Sequence, residues 1–199
     1  MDYVELNLLE MLDTYGEEKL QKILSRFICP QNIDVENFIQ TKAINFARQR
    51  IAMTYLVFSD DNQPEFVGYF TLANKFVSVT GKALSKTLQK RILKFSQYDA
   101  ELDRFLVSMP LIAQLGRNFN PALSASIPVS DLLTIACGKV REAQFIIGGK
   151  TVYIECASNA KLYDFYSASQ FVQFGQRNRD IDEVAESAIL VQMLKYFRD

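Results

Sequence analysis

Two adjoining stretches, Thr151-Val-Tyr-Ile-Glu-Cys156 and Asn159-Ala-Lys-Leu-Tyr-Asp-Phe-Tyr-Ser-Ala-Ser-Gln-Phe171, decide the fold of this chain. The first is rich in β-branched and apolar residues, which predicts a strand. In the second, Leu162, Phe165 and Tyr166 lie three and four residues apart and therefore share one face of a helix. The sequence predicts a strand that leads directly into a helix, with a further strand over 171–174.

Outward from this segment, the pattern predicts a sheet covered by helices. A helix is expected from Asp34 and another over 130–147, where Gly148 and Gly149 give the stop signal. The runs 53–58 and 66–72 predict an antiparallel hairpin, and 104–114 predicts a strand that Pro110 interrupts at a bulge or an edge. With a helical lead over 1–26 and an amphipathic helix over 181–197, we expect one α/β (α+β) domain spanning 1–199.

Composition excludes several kinds of chemistry. The 199 residues are 49% hydrophobic and include no histidine, which removes histidine bases, Ser-His and Cys-His catalysis and most zinc sites, so no metal centre is expected. The three cysteines have unrelated spacings and are interpreted as reduced, structural thiols. Because no apolar run approaches the length of a membrane span and the N-terminus carries no basic leader, we expect a cytoplasmic protein without a membrane anchor.

The charge is nearly balanced overall but uneven along the chain. Lysine and arginine number 22 against 23 acidic residues, a net charge of −1, which makes nucleic acid an unlikely partner. No acidic residue lies between Phe66 and Tyr98, however. Four lysines in this stretch recur every fourth residue and predict a basic ridge on one helix: Lys82, Lys86, Lys90 and Lys94. The ridge is either a solvated helix face or a docking surface for a polyanion.

The segment 159–171 resembles the end of a GNAT acyltransferase, whose usual form is Asn-x-x-Ala-x-x-x-Tyr-x-x-x-Gly-Phe. This chain has Asn159, Tyr166 and Phe171 at the matching positions, while Leu162 replaces the small residue and Gln170 replaces the glycine. The resemblance implies a mixed, mostly antiparallel GNAT sheet covered by helices. It also implies that Tyr166 is the acid that protonates the thiolate leaving group.

Two further stretches carry the same resemblance, which covers most of 27–174. Phe27-Ile-Cys29, followed by a helix from Asp34, is similar to the opening of toxin-type GNAT acetyltransferases. Leu115-Gly-Arg117 is similar to the central GNAT strand, whose backbone holds the pantetheine arm of acetyl-CoA. The resemblance therefore implies acetyl-CoA as co-substrate.

The expected cofactor contacts follow from these positions. Leu115, Gly116 and Arg117 would hold the arm, and the polar residues expected at the pyrophosphate and thioester are Asn118, Asn120, Ser124, Ser126, Ser130 and Asn159, together with the ring of Phe165. The loop 118–128 has no glycine, unlike the family's Gln/Arg-x-x-Gly-x-Gly/Ala, so side chains and the helix start near Ser130 would replace the missing backbone approach. The other interpretation is a polar connection that binds no ligand.

The motifs and composition support several hypotheses about the function. The leading one is transfer of an acetyl group to a primary amine of a small molecule or protein, with Tyr166 as acid and Glu155 as candidate base. Each residue has a structural alternative: a core aromatic for Tyr166 and a hydrogen-bonded carboxylate for Glu155. The rivals are a catalytically degenerate binding or regulatory protein and a toxin-like enzyme acting on aminoacyl-tRNA. A homodimer through the C-terminal helix is a further expectation.

Overall fold

The computed structural model describes residues 2–179 and 189–198. The chain divides into two compact units: 1–73 with 113–138, and 74–112 with 139–199. Within the described residues, no helix is long and apolar enough to cross a membrane.

The first unit begins with a strand and a group of short helices. Strand β1 (Tyr3–Asn7) is followed by α1 (Leu8–Tyr15), α2 (Glu17–Leu24), α3 (Ile33–Asn37), a π-helical turn (Phe38–Lys42) and α4 (Ala43–Arg48). Asparagines cap two of the helices: Asn7 Oδ1 accepts the Leu9 amide at 2.8 Å, and Asn32 Oδ1 accepts the Asp34 amide at 3.1 Å. The predicted helical lead is therefore correct from Leu8 onward, while β1 was missed.

The sheet of the first unit has the strand order β1-β2-β3-β5. Strand β2 (Met53–Ser59) pairs antiparallel with β1 and with β3 (Phe66–Thr80), which confirms the predicted hairpin. Strand β5 (Arg104–Arg117) ends in this unit, and α6 (Val129–Ile147) begins in it. Helices and sheet enclose a core whose fully buried side chains include Leu8, Leu20, Leu24, Phe27, Ile39, Leu56 and Tyr69.

The second unit has the strand order β5-β6-β8-β7, with β4 also paired to β5. Its elements are α5 (Lys86–Ile92), β4 (Ser96–Asp99), β6 (Thr151–Ala157), α7 (Ala160–Ala168), β7 (Val172–Asn178) and β8 (Ile189–Tyr196). Among the described strand pairs of this unit, β5–β6 is parallel, at Leu111↔Tyr153 and Ile112↔Ile154, and the others are antiparallel. The mixed, mostly antiparallel sheet expected from the sequence is confirmed.

Pro110 lies where β5 changes partner. Strand β4 pairs with Arg104 to Val107, and β6 pairs with Leu111 and Ile112, so Pro110 falls between the two ladders. A residue without an N–H is tolerated where no ladder hydrogen bond is needed on that side. The strand therefore continues through Pro110, and the predicted interruption is not observed.

Two predictions fail. The C-terminal helix over 181–197 is wrong for Ile189–Tyr196, which is strand β8, and 181–188 lies outside the described residues. The helix that was expected to form a homodimer contact is therefore not present over Ile189–Tyr196. The basic ridge is also not one helix, because Lys82 and Lys94 lie in separate 3₁₀ turns on either side of α5.

Candidate functional site

The junction of β6 and α7 forms as its sequence predicts. Asn159 is the cap of α7: its Oδ1 accepts the Leu162 amide at 2.9 Å, and its own amide donates to Ala157 O at 2.8 Å. An asparagine is favoured here because its side chain satisfies an amide that the first helical turn leaves unpaired. The observed role of Asn159 is therefore to start the helix that carries Tyr166.

Tyr166 is held by aromatic neighbours. It is the buried residue of α7, with its ring centroid 5.0 Å from that of Phe165 and 5.7 Å from that of Phe171, both in edge-to-face geometry. Edge-to-face contacts fix the plane of an aromatic ring. The packing restricts the directions in which the Tyr166 hydroxyl can point. Such a restriction is needed for a positioned proton donor, and it is also found for a tyrosine that only packs in the core.

Glu155 lies on β6 and uses both carboxylate oxygens. Arg177 Nε donates to Oε2 at 2.8 Å, and Gln192 Nε2 donates to Oε1 at 2.8 Å. The side chain of Glu155 is only 13% exposed. This network joins β6 to β7 and β8, and it supports the structural alternative over a general base, because a base needs a lone pair directed at its substrate.

Two neighbours of Glu155 on β6 are unsuited to catalysis: Tyr153 is a poor proton donor and Cys156 is a poor nucleophile. Burial, with the nearby Glu155 charge as a smaller cause, raises the pKa of Tyr153, although Arg177 opposes the shift. Burial also raises the pKa of the Cys156 thiol to about 11. A thiol with so high a pKa is almost entirely protonated near neutral pH and is unreactive. Cys156 is accordingly a packing residue.

In the first unit, Asn118 is a buried structural hub. Its amide donates to Val67 O at 2.8 Å and its Nδ2 donates to Phe66 O at 2.8 Å, while its Oδ1 accepts the amides of Ile28 and Asn120. The side chain is thus committed to tying three segments of the chain together. The structure gives Asn118 a structural role, and its role as a phosphate donor stays a prediction.

Two more predicted phosphate ligands are also engaged within the loop. Asn120 Nδ2 donates to Arg26 O at 2.8 Å, and its Oδ1 accepts the Ala122 amide at 3.0 Å. The Ser124 amide and hydroxyl both donate to the Glu65 carboxylate, at 3.0 and 3.1 Å to Oε2. These interactions shape the loop and leave fewer donors for a ligand.

Glu65 is a residue that the sequence reasoning missed. Its Oε2 also accepts the Ala125 amide at 2.6 Å, and its backbone is fixed by two hydrogen bonds with Ser59 across the hairpin. The amides of Ala125 and Ser124 lower the pKa of the carboxyl group, since they stabilise its charged form. A single glutamate before a strand carries no sequence signal for such a long-range contact.

Several groups at the start of α6 remain available to an anion. In the described part of the chain, the amides of Ser126, Val129 and Ser130 donate to no protein acceptor. The Nε of Arg117 is buried without an acceptor among the described residues, and the guanidinium lies 4.4 Å from the Phe119 ring centroid. An orphaned buried donor and helix N-terminal amides fit a phosphate group.

One charge at this point opposes an anion. Asp131 lies in the first turn of α6, with its Oδ1 3.2 Å from the Ser130 hydroxyl. A negative side chain at a helix start is stabilised by the helix dipole but competes with a bound phosphate for the same amides.

Comparison with solved structures identifies the fold. AtaT complexed with acetyl-methionyl-tRNAfMet matches over 96% of this chain and 94% of its own, at 20% identity and a TM-score of 0.62. A KacT crystal structure matches over 97% and 95%, at 17% identity and a TM-score of 0.61. A third match, described as a bacterial toxin, covers 98% and 90% at 17% identity and a TM-score of 0.63.

AtaT is described as a toxin, and one of its structures contains acetyl-CoA. The fold shared with these structures is the one that the motifs predict. This chain has the GNAT fold. No family model and no curated protein sequence matches it, so the likeness rests on structure. The resemblance read from the motifs is confirmed at the level of the fold.

The GNAT fold explains an unusual backbone angle. Gln170 has φ = +70°, in the left-handed region, at the position where the GNAT motif places glycine. Its amide donates to Ser167 O at 2.9 Å and the Phe171 amide donates to Tyr166 O at 3.0 Å, which closes α7 before β7. The glycine of the motif is therefore explained by backbone conformation, and Gln170 adopts it despite its side chain.

The GNAT motif residues of each unit have contacts of their own. Within the second unit, ring contacts join Phe165, Tyr166 and Phe171, whereas the hydrogen bonds of Glu155 go to β7 and β8. Leu115 and Gly116 lie on β5 next to Arg117, where Gly116 packs against the core.

Proposed function

We propose that this protein is an acetyl-CoA-dependent N-acetyltransferase that acetylates a primary amine. The observation that carries the proposal is the conformation of the β6–α7 segment. Asn159 caps the helix, Tyr166 is fixed in an aromatic cluster, and the residue before Phe171 has the left-handed angle that the GNAT glycine would have. A neighbouring structure of AtaTR, bound with AcCoA, supports the choice of acetyl donor.

Tyr166 supplies the proton in this proposal. Acetyl-CoA provides an activated acyl group on a thiol leaving group, and the thiolate must be protonated as the amine takes the acyl group. A phenol with an ordinary pKa near 10 can donate to a thiolate whose acid has a pKa near 8.5 when it is held within hydrogen-bonding distance. The chain contains no histidine that would compete for this role.

Two roles remain to be assigned: binding of the cofactor phosphates and removal of the amine proton. Arg117 and the Ser126, Val129 and Ser130 amides are the groups we assign to the cofactor phosphates. The Glu155 carboxylate is already paired, so we assign removal of the amine proton to water. The basic ridge plays no part in this assignment.

The proposal also names the class of amine that accepts the acetyl group. AtaT was solved with acetyl-methionyl-tRNAfMet. We propose a small-molecule or protein amine as the acceptor here, since a net charge of −1 provides little long-range attraction for RNA.

A second function is favoured by one specific observation. Glu65 accepts the Ser124 and Ala125 amides of the loop, and Asn118 accepts the Asn120 amide. Asp131 adds a negative charge at the start of α6. A GNAT-fold protein that binds a partner without acetyl-CoA is consistent with these contacts. The two functions differ in whether acetyl-CoA binds at all.

Isothermal titration of acetyl-CoA against the intact protein separates these functions. Saturable binding supports the enzyme, and no heat up to about 1 mM acetyl-CoA supports the partner-binding alternative. Turnover is then measured as release of the CoA thiol in the presence of spermidine, a lysine-containing peptide or methionyl-tRNA.

The role of Tyr166 is tested by substitution with a matched control. Tyr166→Phe removes only the hydroxyl and should lower kcat by about 100-fold or more while acetyl-CoA still binds. Tyr163→Phe makes the same change on the same helix at a residue that is 43% exposed, and should leave kcat unchanged. Equal rates for the two variants would remove Tyr166 from the mechanism.

A further inference from the structure

A pocket in the second unit is lined by residues that have no role in the proposed acetyl transfer. Its volume is about 360 Å³. The residues that line it come from α5, the turn after α5, β4 and β5, and are Lys86, Gln89, Lys90, Leu93, Tyr98 and Phe105. This volume is in the range of pockets that hold small organic ligands, about 300–1,000 Å³.

The floor of the pocket is apolar. Phe105 is buried, and the ring of Tyr98 lies 4.8 Å from it between centroids, tilted by 40°. Leu93 adds an aliphatic side chain that is half exposed. Two aromatic rings and a leucine provide a surface against which a flat apolar group can pack.

The neutral polar groups of the lining are already engaged. Gln89 Nε2 donates to Gly81 O at 2.8 Å and to Leu84 O at 3.0 Å, and the Tyr98 hydroxyl donates to Asp103 Oδ1 at 3.0 Å. These bonds fix the shape of the pocket. They leave few groups with which the edge of a nucleobase could be recognised.

The rim carries unpaired positive charge. Lys86 and Lys90 lie one helical turn apart on α5, both are exposed, and neither has a carboxylate partner among the described residues. One turn of helix separates them by about 6 Å along the axis. Two ammonium groups beside an apolar floor are complementary to a ligand that is apolar at one end and acidic at the other.

We propose that this pocket binds an amphiphilic organic anion, with a flat apolar body on Tyr98 and Phe105 and an acidic group between Lys86 and Lys90. A nucleic acid strand is disfavoured because the neutral polar groups of the lining, which would read a base edge, are already engaged. The inference is independent of acetyl transfer, since none of its residues belongs to the proposed transferase machinery.

The probe for this site is 2-naphthalenesulfonate, titrated calorimetrically into the intact protein. We expect saturable binding, and no binding of 2-naphthylmethylamine, which has the same ring and the opposite charge. No saturation below about 1 mM sulfonate, or equal binding of the two compounds, overturns the proposal.

Two double variants locate the site. Lys86→Gln with Lys90→Gln should weaken binding by about tenfold, since it removes both rim charges. Lys82→Gln with Lys94→Gln removes the same charge from residues that do not line the pocket and should change the affinity by less than about twofold. Equal losses in the two variants would show general charge attraction and refute the pocket.

A competition experiment separates the ligand classes. Circular dichroism first establishes that both double variants are folded. A uridine oligomer is then added to the naphthalenesulfonate complex at about 150 mM salt. Failure to displace the probe agrees with the proposal, and displacement at micromolar oligomer identifies a nucleic acid surface instead.

Discussion

Replacing Gly116 by alanine should destabilise the protein strongly, because a Cβ atom has no room there. An ideal Cβ on Gly116 would lie 2.5 Å from Val35 Cγ1, 3.0 Å from Phe27 Cζ and 3.0 Å from Tyr69 Cε1. All three neighbours are buried. Contacts this short force the backbone or the rings to move.

The neighbours of Gly116 have little freedom to adjust. Phe27 and Tyr69 pack edge to face with centroids 5.0 Å apart, and the Tyr69 hydroxyl donates to Val35 O at 2.5 Å. Overpacking of this kind costs about 1–3 kcal/mol, and we expect the upper end because three fixed groups are displaced at once. For a chain of this length each kcal/mol shifts Tm by about 2–4 °C, so Gly116→Ala should lower Tm by about 6–12 °C.

The same substitution at Gly138 is the control. Gly138 lies inside α6, and a Cβ there meets nothing within 4 Å. Alanine is preferred to glycine in a helix interior by about 1 kcal/mol, so Gly138→Ala should raise Tm by about 2–4 °C. Thermal unfolding followed by circular dichroism measures both. A Gly116→Ala protein with unchanged or raised Tm would contradict the packing argument.

Three further predictions test other contacts. Gln170→Gly should stabilise the fold by roughly 1 kcal/mol, because a non-glycine residue in the left-handed region is strained; urea unfolding that gives a lower midpoint for the variant would be inconsistent with this. The Glu65 pKa is lowered, so its bonds to Ser124 and Ala125 are present above the usual glutamate pKa and are lost as pH falls through the lowered value. The two amide proton shifts should therefore move in that acidic range, and a Glu65→Gln protein that keeps the pH step would assign it elsewhere. Glu155→Gln should lower Tm but change kcat less than about twofold, since the carboxylate joins strands; a loss as large as that of Tyr166→Phe would restore Glu155 as a base.

The sequence predicted those elements whose signals are local. The step from β6 into α7, the turn between β2 and β3 and the glycine stop after α6 all depend on residues a few positions apart, and all are confirmed. The Gln170 angle was also predictable in outline, because the motif has glycine at that position. Residues close together in the sequence predicted the order of helices and strands, and the motifs predicted the GNAT fold.

The failures concern long-range pairing. Residues 189–196 combine Val191 and Leu194 at a spacing that suits a helix, yet the segment is a strand paired with β6 on one side and β7 on the other. A short apolar run does not distinguish the two states, and the partners on both sides decide. Glu65 is similar, since its contacts with Ser124 and Ala125 span 59 and 60 residues.

The hub at Asn118 bears on how this loop could be re-engineered. Introducing glycine into the loop 118–128 would supply the residue type that the family's phosphate loop has and this loop lacks, but the bonds between Asn118 and the Ile28 and Phe66 backbones would still fix the start of the loop. A design that aims for tight nucleotide binding would have to rebuild the anchor and the loop together.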